Sequence, residues 1–158
     1  MTYFSAFATH LLPNNPDVVK RHQNYVAALG STGVEAVLSR FKEKSVTCPV
    51  CGNRFKRHEE KETDVALGLR LIELFARGAC ETTVLMTGDT DLVPAIRTAK
   101  RLYPARAVGV GFPFMRHNAE LRTVADFAFN ISQRDLQRAQ LPQQIVWEGQ
   151  VLTRPVSW

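Results

Sequence analysis

Apolar runs of strand length alternate with stretches of helical periodicity along most of this chain. Strands are predicted at residues 3–8, 34–41, 82–86, 107–112 and 127–131, and helices at residues 18–29, 63–77, 92–102 and 118–125. Such alternation is typical of βαβ units, whose strands pair in parallel and whose helices cover the sheet. The pattern therefore predicts an α/β fold with a mainly parallel sheet and helices on both faces.

The most regular helical pattern lies in the middle of the chain, where Thr63 and Asp64 open a helix that ends at Gly78. Apolar residues recur along it at helical spacing. The predicted buried face consists of Val65, Leu69, Ile72 and Phe75. A buried strand follows at residues 82–86 and runs directly into the turn Thr87-Gly88-Asp89-Thr90-Asp91, so this turn joins a strand to a helix.

Residues 42–62 interrupt the alternation, because they show no periodicity and are rich in charge. We expect an inserted surface loop or small knuckle there. From residue 40 to residue 61 the chain has seven basic residues against three acidic ones, whereas the rest of its 20 basic and 15 acidic residues nearly balance. One basic patch on a neutral body favours a polyanion such as nucleic acid as partner, and a solvated basic loop is the alternative.

The length of 158 residues suits one domain at residues 1–140, followed by a C-terminal arm at residues 141–158 that is predicted to be a hairpin or extended segment. The content of 45% apolar and 22% charged residues is that of a globular protein. No apolar run reaches the roughly 18 residues of a membrane span, and the first residues lack the pattern of a signal peptide. Three cysteines are too few for a disulfide framework, so we expect a cytoplasmic protein in a reduced compartment.

Two acidic residues, Asp89 and Asp91, follow directly on the buried strand at residues 82–86. In an open parallel sheet ligands bind beyond the carboxyl ends of the strands, and the first turn of the preceding helix, with Asp64, can reach the same edge. Converging carboxylates without a basic partner normally hold a hard cation such as Mg²⁺ or Mn²⁺. A metal of this kind activates water for attack on phosphorus, so the chemistry predicted is phosphodiester hydrolysis.

The same acidic residues have a simpler interpretation as helix caps. Asp89 or Thr90 would cap the helix that follows, and Asp91 would complement its dipole. Thr63 and Asp64 would serve the earlier helix in the same way. Residue type and spacing alone leave the metal site and the caps as alternatives.

Three motifs follow one another along the chain: His58-Glu59-Glu60-Lys61-Glu62-Thr63-Asp64-Val65, Thr87-Gly88-Asp89-Thr90-Asp91-Leu92-Val93-Pro94 and Arg106-Ala107-Val108-Gly109-Val110-Gly111-Phe112-Pro113. This ordered set resembles the NYN domain family of PIN-like nucleases, and the resemblance extends over most of the chain. It implies a PIN-like, Rossmann-like α/β fold and a cluster of acids that binds Mg²⁺ or Mn²⁺ and cleaves RNA.

The resemblance also implies roles for individual residues. Asp64, Asp89 and Asp91 match the acidic positions of the family, and Thr87 and Thr90 would help to place a ligand or water. Members of the family open with a strand that carries an aspartate, whereas the first residues here correspond to their second strand. We therefore expect a ribonuclease on the condition that the missing N-terminal strand is supplied or dispensable.

The segment Cys48-Pro49-Val50-Cys51-Gly52 has the spacing of half a zinc site, because two thiolates on a tight turn can face one tetrahedral Zn²⁺ ion. His58 is the nearest candidate third ligand. Candidate fourth ligands are Cys80, His22 and His10. Two ordinary thiols in a loop are the alternative interpretation.

Basic side chains near the acidic turn are candidate substrate contacts. Lys61, Arg97 and Lys100 would flank the site and steer phosphates, and the outer charged face of a helix is the alternative for the last two. The sequence thus supports two hypotheses. The first is a metal-dependent endoribonuclease. The second is a non-catalytic RNA-binding or protein-interaction module with an incomplete acidic site, and either protein could form a homo-oligomer.

Overall fold

The computed structural model describes residues 1–155, which divide into two units. The first unit comprises residues 1–63 and the segment from residue 141 onward, and the second unit comprises residues 64–140. The elements in chain order are β1 (Thr2–Ala6), α1 (Val18–Gly30), β2 (Glu35–Thr47), β3 (Arg54–Lys61), α2 (Thr63–Ala76), β4 (Thr82–Met86), α3 (Val93–Leu102), β5 (Ala107–Phe112), α4 (Ala119–Val124), β6 (Phe127–Asn130), α5 (Gln133–Arg138), β7 (Gln144–Trp147) and β8 (Gln150–Thr153). Short 3-10 turns lie at Thr9–Leu11 and Thr90–Leu92.

The first unit contains a sheet in the order β1-β2-β3. The long strand β2 has two partners: residues 35–39 pair in parallel with β1, and residues 40–47 pair antiparallel with β3. The inserted loop or small knuckle expected at residues 42–62 is instead most of an extended β-hairpin, with the end of β2, the turn and the whole of β3. Both faces of the hairpin are largely exposed, so no alternation of apolar residues marks its strands in the sequence.

Cross-strand ion pairs cover much of this hairpin instead of apolar contacts. Lys56 Nζ lies 3.0 Å from Glu43 Oε1, and Lys44 Nζ lies 3.7 Å from Glu59 Oε1. Arg40 and Lys61 also face carboxylates, those of Glu62 and Glu59. Among the described residues, the hairpin bases without a carboxylate within 4.0 Å are Lys42, Arg54 and Arg57. The basic patch predicted from the sequence is thus about half neutralised.

The C-terminal segment forms the predicted hairpin, in which β7 pairs antiparallel with β8. Glu148 and Gly149 connect the strands with φ of 49° and 74°, the left-handed pair that a two-residue hairpin turn requires. Leu152 is buried, and the indole of Trp147 lies against Gly30 at the end of α1. The arm is therefore packed within the first unit.

The second unit contains the parallel sheet β4-β5-β6, which confirms the predicted α/β fold. Residues of α2, α3 and α4 share one apolar core with one face of this sheet. The core consists of Leu71, Phe75, Leu85, Val93, Ile96, Ala99, Val108, Val110, Phe112 and Leu121. The opposite face carries Val84, Met86, Phe127 and Phe129, each about half exposed. Although Phe127 and Phe129 lie in a strand, they are therefore outside this core.

The buried face of helix α2 was predicted only in part: Phe75 is buried and Ile72 packs against the core, as predicted, but the other two residues are exposed. Its buried positions are Gly68, Leu71 and Phe75, whereas Val65 and Leu69 are 66% and 65% exposed. Nine of the 14 residues of this helix are Ala, Val, Leu, Ile or Phe and they occur on several sides of it, so periodicity alone does not select one stripe. Gly68 marks the true contact, since a Cβ there would lie 3.1 Å from the Cβ of Ala95 on α3.

None of the helices in residues 1–155 has both the length and the apolar character that a transmembrane helix needs.

Candidate metal centre

The turn after β4 lies at the carboxyl edge of the parallel sheet in the second unit. The N–H group of Thr87 donates a hydrogen bond to the carbonyl oxygen of Gly111 at 3.1 Å, so the pairing of β4 with β5 extends one residue past Met86. The chain then enters the short 3-10 turn at Thr90–Leu92 and continues into α3. Ligand sites of open parallel sheets are found at this edge.

Two hydrogen bonds hold the turn in shape. The N–H of Asp89 donates to Thr87 Oγ1 and the N–H of Asp91 donates to Asp89 Oδ1, each at 3.0 Å. Asp89 is therefore the cap of the turn that follows, as the simpler interpretation of the sequence predicted. Capping occupies Oδ1 only, and no other hydrogen bond to this carboxylate is present among the described residues. The cap and a metal ligand can accordingly be the same side chain.

Asp64, in the first turn of α2, completes a cluster with the two aspartates of the turn. One carboxylate oxygen from each of Asp64, Asp89 and Asp91 lies within 4.8 Å of the others, and all three residues are exposed. The structure thus brings together the three carboxylates that the sequence singled out.

The donor set suits a hard divalent cation. Oxygen ligands that can all approach one point match the coordination of Mg²⁺ or Mn²⁺, and an exposed site leaves positions for water and substrate. Three carboxylates this close repel one another unless positive charge lies between them.

Some of the predicted substrate contacts lie in the acidic turn, and others lie elsewhere in the chain. Thr87 accepts the hydrogen bond from Asp89, and Thr90 is exposed at the start of the 3-10 turn. Arg97 faces Glu120 at 3.7 Å on the exposed side of α3. Lys61 belongs to the first unit, where its Nζ lies 2.8 Å from Glu59. Its role as a substrate contact stays a prediction.

Lys100 is engaged in a structural contact at the far end of α3. Its Nζ lies 2.7 Å from Asp126 Oδ1 and donates to the carbonyl oxygen of Val124 at 2.9 Å. The other oxygen of Asp126 accepts the N–H of Val108 at 2.8 Å. Partial burial opposes ionisation of Asp126, but the Lys100 and Val108 hydrogen bonds and the Lys100 charge outweigh it and hold the pKa of this carboxyl below its usual value. Asp126 is thus a structural residue that ties α3 to β5.

Arg116 is a basic residue beside the acidic turn that is not among the substrate contacts predicted from the sequence. A Cβ built on Gly88 would lie 3.4 Å from the Cβ of Arg116, so the arginine borders the residue that precedes Asp89. The side chain is exposed, and no carboxylate lies within 4.0 Å of it among the described residues. Its position after β5, the strand adjacent to β4, was the signal that could have identified it.

The candidate zinc ligands are only partly brought together. Cys48 and Cys51 lie in the turn of the β2–β3 hairpin, and hydrogen bonds from the Cys51 and Val50 N–H groups and from the Cys51 side chain hold the pKa of the Cys48 thiol below its usual value. His58 lies four residues beyond the first residue of β3, about 13 Å along the strand. Among the described residues, the group of three or more potential ligands close enough for one ion is the aspartate cluster.

His58 contacts His10 instead. The two imidazole rings stack at a centroid distance of 4.2 Å, and His58 Nε2 lies 3.7 Å from Glu43 Oε2. The Nδ1 atom of His10 is buried and has no hydrogen-bond partner among residues 1–155. Burial, with the nearby His58, lowers the pKa of His10 below its usual value.

The similarity of this chain to known proteins extends over most of its length. The NYN domain family model matches residues 13–132. A protein of unknown function from Vibrio parahaemolyticus RIMD 2210633, known from a crystal structure, is 21% identical; the similarity covers 82% of this chain and 67% of that one, with a TM-score of 0.53. At this identity the likeness shows a shared fold. No curated protein matches the sequence. Because the family match spans most of the chain and both units contribute to it, this protein belongs to the NYN domain family of PIN-like nucleases.

Proposed function

We propose that this protein is a divalent-metal-dependent endoribonuclease whose centre is the aspartate cluster. The observation that carries the proposal is the approach of Asp64, Asp89 and Asp91 to within 4.8 Å at the carboxyl edge of the sheet, in a chain of the NYN domain family. Exposure of all three residues leaves room for a polymeric substrate.

The three carboxylates would hold one Mg²⁺ or Mn²⁺ ion, which when bound lowers the pKa of a coordinated water and offsets charge on the phosphodiester. Asp89 contributes an oriented ligand, because the hydrogen bond from the Asp91 N–H holds its carboxylate in one position. The Asp89 N–H is in turn held by Thr87 Oγ1, so the hydroxyl of Thr87 supports the turn. A ligand fixed in this way loses little rotamer freedom when the ion binds.

Arg116 is the basic residue that we propose to contact the substrate phosphate. It borders Gly88 next to Asp89, and no carboxylate neutralises it within 4.0 Å among residues 1–155. A guanidinium group suits a phosphate because its planar fork can donate two parallel hydrogen bonds. Arg97, with its distant ion pair to Glu120, is the second candidate on this side.

The test is cleavage of end-labelled RNA with Mg²⁺ or Mn²⁺ and with excess chelator. Wild-type protein should cut only with metal, and Asp64→Asn, Asp89→Asn and Asp91→Asn should each abolish cutting. Asp17→Asn is the matched control, because Asp17 is an exposed aspartate at the start of α1 whose side chain makes no cap hydrogen bond. Cleavage that persists in chelator, or that survives Asp89→Asn, contradicts the proposal.

A non-catalytic RNA-binding module is the second candidate, and one observation favours it. Lys42, Arg54 and Arg57 project from an exposed hairpin and have no ion-pair partner among the described residues. RNA retention that is salt-dependent, is lost when these three bases become Gln, and occurs without any cleavage in metal would favour this function. Retention with cleavage favours the nuclease.

We also propose a cytoplasmic location for the protein. All three cysteines, Cys48, Cys51 and Cys80, are free thiols, which is the usual state in a reducing compartment. Fractionation of the source cells with an antibody to the chain tests the location directly, and recovery in an extracellular fraction would contradict it.

A further inference from the structure

The turn of the β2–β3 hairpin has the backbone geometry of a metal knuckle. The N–H of Cys48 donates to the carbonyl oxygen of Asn53 at 2.8 Å, and the N–H of Gly52 donates to the carbonyl oxygen of Cys48 at 3.0 Å. Gly52 has φ of 70°, a conformation that favours glycine. Cys48 and Cys51 are three residues apart in this turn, which joins β2 to β3 at the tip of the hairpin.

Two thiols on one tight turn supply half of a tetrahedral site. With Zn–S bonds of about 2.3 Å, two ligands of one Zn²⁺ ion lie about 3.8 Å apart, a separation that side chains three residues apart on a turn can reach. The turn is therefore arranged for a metal, but a structural zinc site requires two more ligands.

Those two ligands are not supplied by the same chain among its described residues. His58 lies about 13 Å down the strand and is engaged with His10 and Glu43. His22 Nε2 lies 3.3 Å from Ser5 Oγ near β1, and no third ligand forms a cluster with the Cys48 and Cys51 thiols in residues 1–155.

The position of the turn makes it accessible to another molecule. Eight residue pairs, from Arg40 with Lys61 to Thr47 with Arg54, carry the turn about 26 Å beyond the last residue of β2 that pairs with β1. Val50, between the two cysteines, is 93% exposed. The tip of the hairpin is therefore open to the same turn of a second copy.

We propose that one Zn²⁺ ion joins two copies of this chain, bound by Cys48 and Cys51 of each. A tetrahedral ion has a two-fold axis that exchanges one pair of ligands with the other, so identical turns complete the site by symmetry. Binding releases four protons from the four thiols and leaves a complex with two net negative charges. Arg54, which follows the turn and has no carboxylate partner among the described residues, offsets part of that charge.

Metal content and mass together test this site on the full-length protein. Reduced protein with one equivalent of Zn²⁺ should retain one ion for every two chains after gel filtration, with a mass by light scattering of twice 17.7 kDa. Chelator should return the monomer, and added Zn²⁺ should restore the dimer. Substituted Co²⁺ should give the absorption spectrum of four tetrahedral thiolates.

Variants separate a zinc ion shared by two copies from a zinc ion held within one chain. Cys48→Ser and Cys51→Ser should each lose the zinc and the dimer while thermal unfolding of the metal-free protein stays nearly unchanged, since serine is close to cysteine in size, Cys51 is exposed and Cys48 is only half-buried. Cys80→Ser is the matched control, because Cys80 is a thiol of the second unit, and it should retain both. His58→Gln should also retain both.

Several results would overturn the proposal. One zinc ion per chain in a monomer would mean that the ligands come from the same chain, and loss of zinc in His58→Gln would mean that the histidine is one of them. A Cys48–Cys51 disulfide with no zinc binding after reduction would make the turn a redox pair. A dimer that survives chelator or Cys48→Ser would show that the copies associate elsewhere.

Discussion

Asp89 combines two functions whose energies can be separated by two substitutions. Its Oδ1 accepts the N–H of Asp91 at 3.0 Å, which is a helix cap, and its carboxylate belongs to the aspartate cluster. Asn keeps a capping oxygen and removes the charge, whereas Ala removes both. Loss of a cap costs about 0.5–2 kcal/mol, and Asn is as good a cap as Asp.

The metal-free protein should therefore rank in a defined order of unfolding free energy. Asp89→Asn should equal or exceed wild type, because it removes one of three carboxylates whose mutual repulsion at about 5 Å is about 1 kcal/mol per pair in water. Asp89→Ala should fall below wild type by about 1 kcal/mol because the Asp91 N–H loses its partner. Urea unfolding in chelator measures both differences.

Added metal should make wild type more stable than Asp89→Asn. Mg²⁺ or Mn²⁺ at ten times its dissociation constant stabilises wild type by about 1.4 kcal/mol, and it should stabilise Asp89→Asn and Asp89→Ala far less. Asp17→Asn is the control and should respond like wild type. The dual role of Asp89 is refuted if metal stabilises Asp89→Asn as much as wild type, or if Asn is as destabilising as Ala in chelator.

Three further predictions concern packing, pH and substrate contact. Leu71→Ala should lower the unfolding free energy by about 2–5 kcal/mol because Leu71 is buried in the core. Leu69→Ala, on the exposed face, should lower it by under about 1 kcal/mol. Equal losses would mean that Leu69 is also buried, as the sequence predicted. Because the pKa of His10 is lowered in the folded protein, the unfolded chain binds the proton more tightly. The unfolding free energy should therefore be at its full value above about pH 6.5 and decline as the pH falls towards the folded pKa. His10→Gln should flatten this decline, as measured by urea titrations at several pH values. Arg116→Ala should raise KM for RNA about tenfold with less effect on kcat, and Arg101→Ala, an exposed base at the end of α3, should change neither. A fall in kcat alone for Arg116→Ala would argue against a role in phosphate binding.

The parallel sheet of the second unit and its acidic turn could be predicted because burial leaves a strong pattern. Strands β4 and β5 are short apolar runs bounded by polar turns, and such runs are typical of buried parallel strands. Asp89 and Asp91 directly follow one of them. The convergence of Asp64 with the turn followed from a general rule, namely that the helix before a parallel strand begins at the strand's carboxyl edge.

The strand at the start of β2 was predicted, but its extension past residue 41 and its pairing with β3 could not be predicted in this way. The strands of the hairpin are held by main-chain pairing and by ion pairs such as Lys56 with Glu43, and both of its faces meet water, so alternation is absent. The NYN family model covers this hairpin within residues 13–132, although no alternation of apolar residues marks its strands. Helix α5, with the Ser132 and Asp135 capping box, was also missed because it is short and has no buried residue.

The sequence by itself determined the fold class, the family and the three carboxylates, because these depend on runs of apolar residues and on residue types at short spacing along the chain. Only the tertiary structure decided which face of α2 is buried, that Arg116 borders the acidic turn, and that His58 lies far from Cys48 and Cys51. Each of these features depends on the relative positions of segments that are distant in sequence or far apart along one strand. Packing of one element against another sets those positions, and no local sequence pattern specifies them.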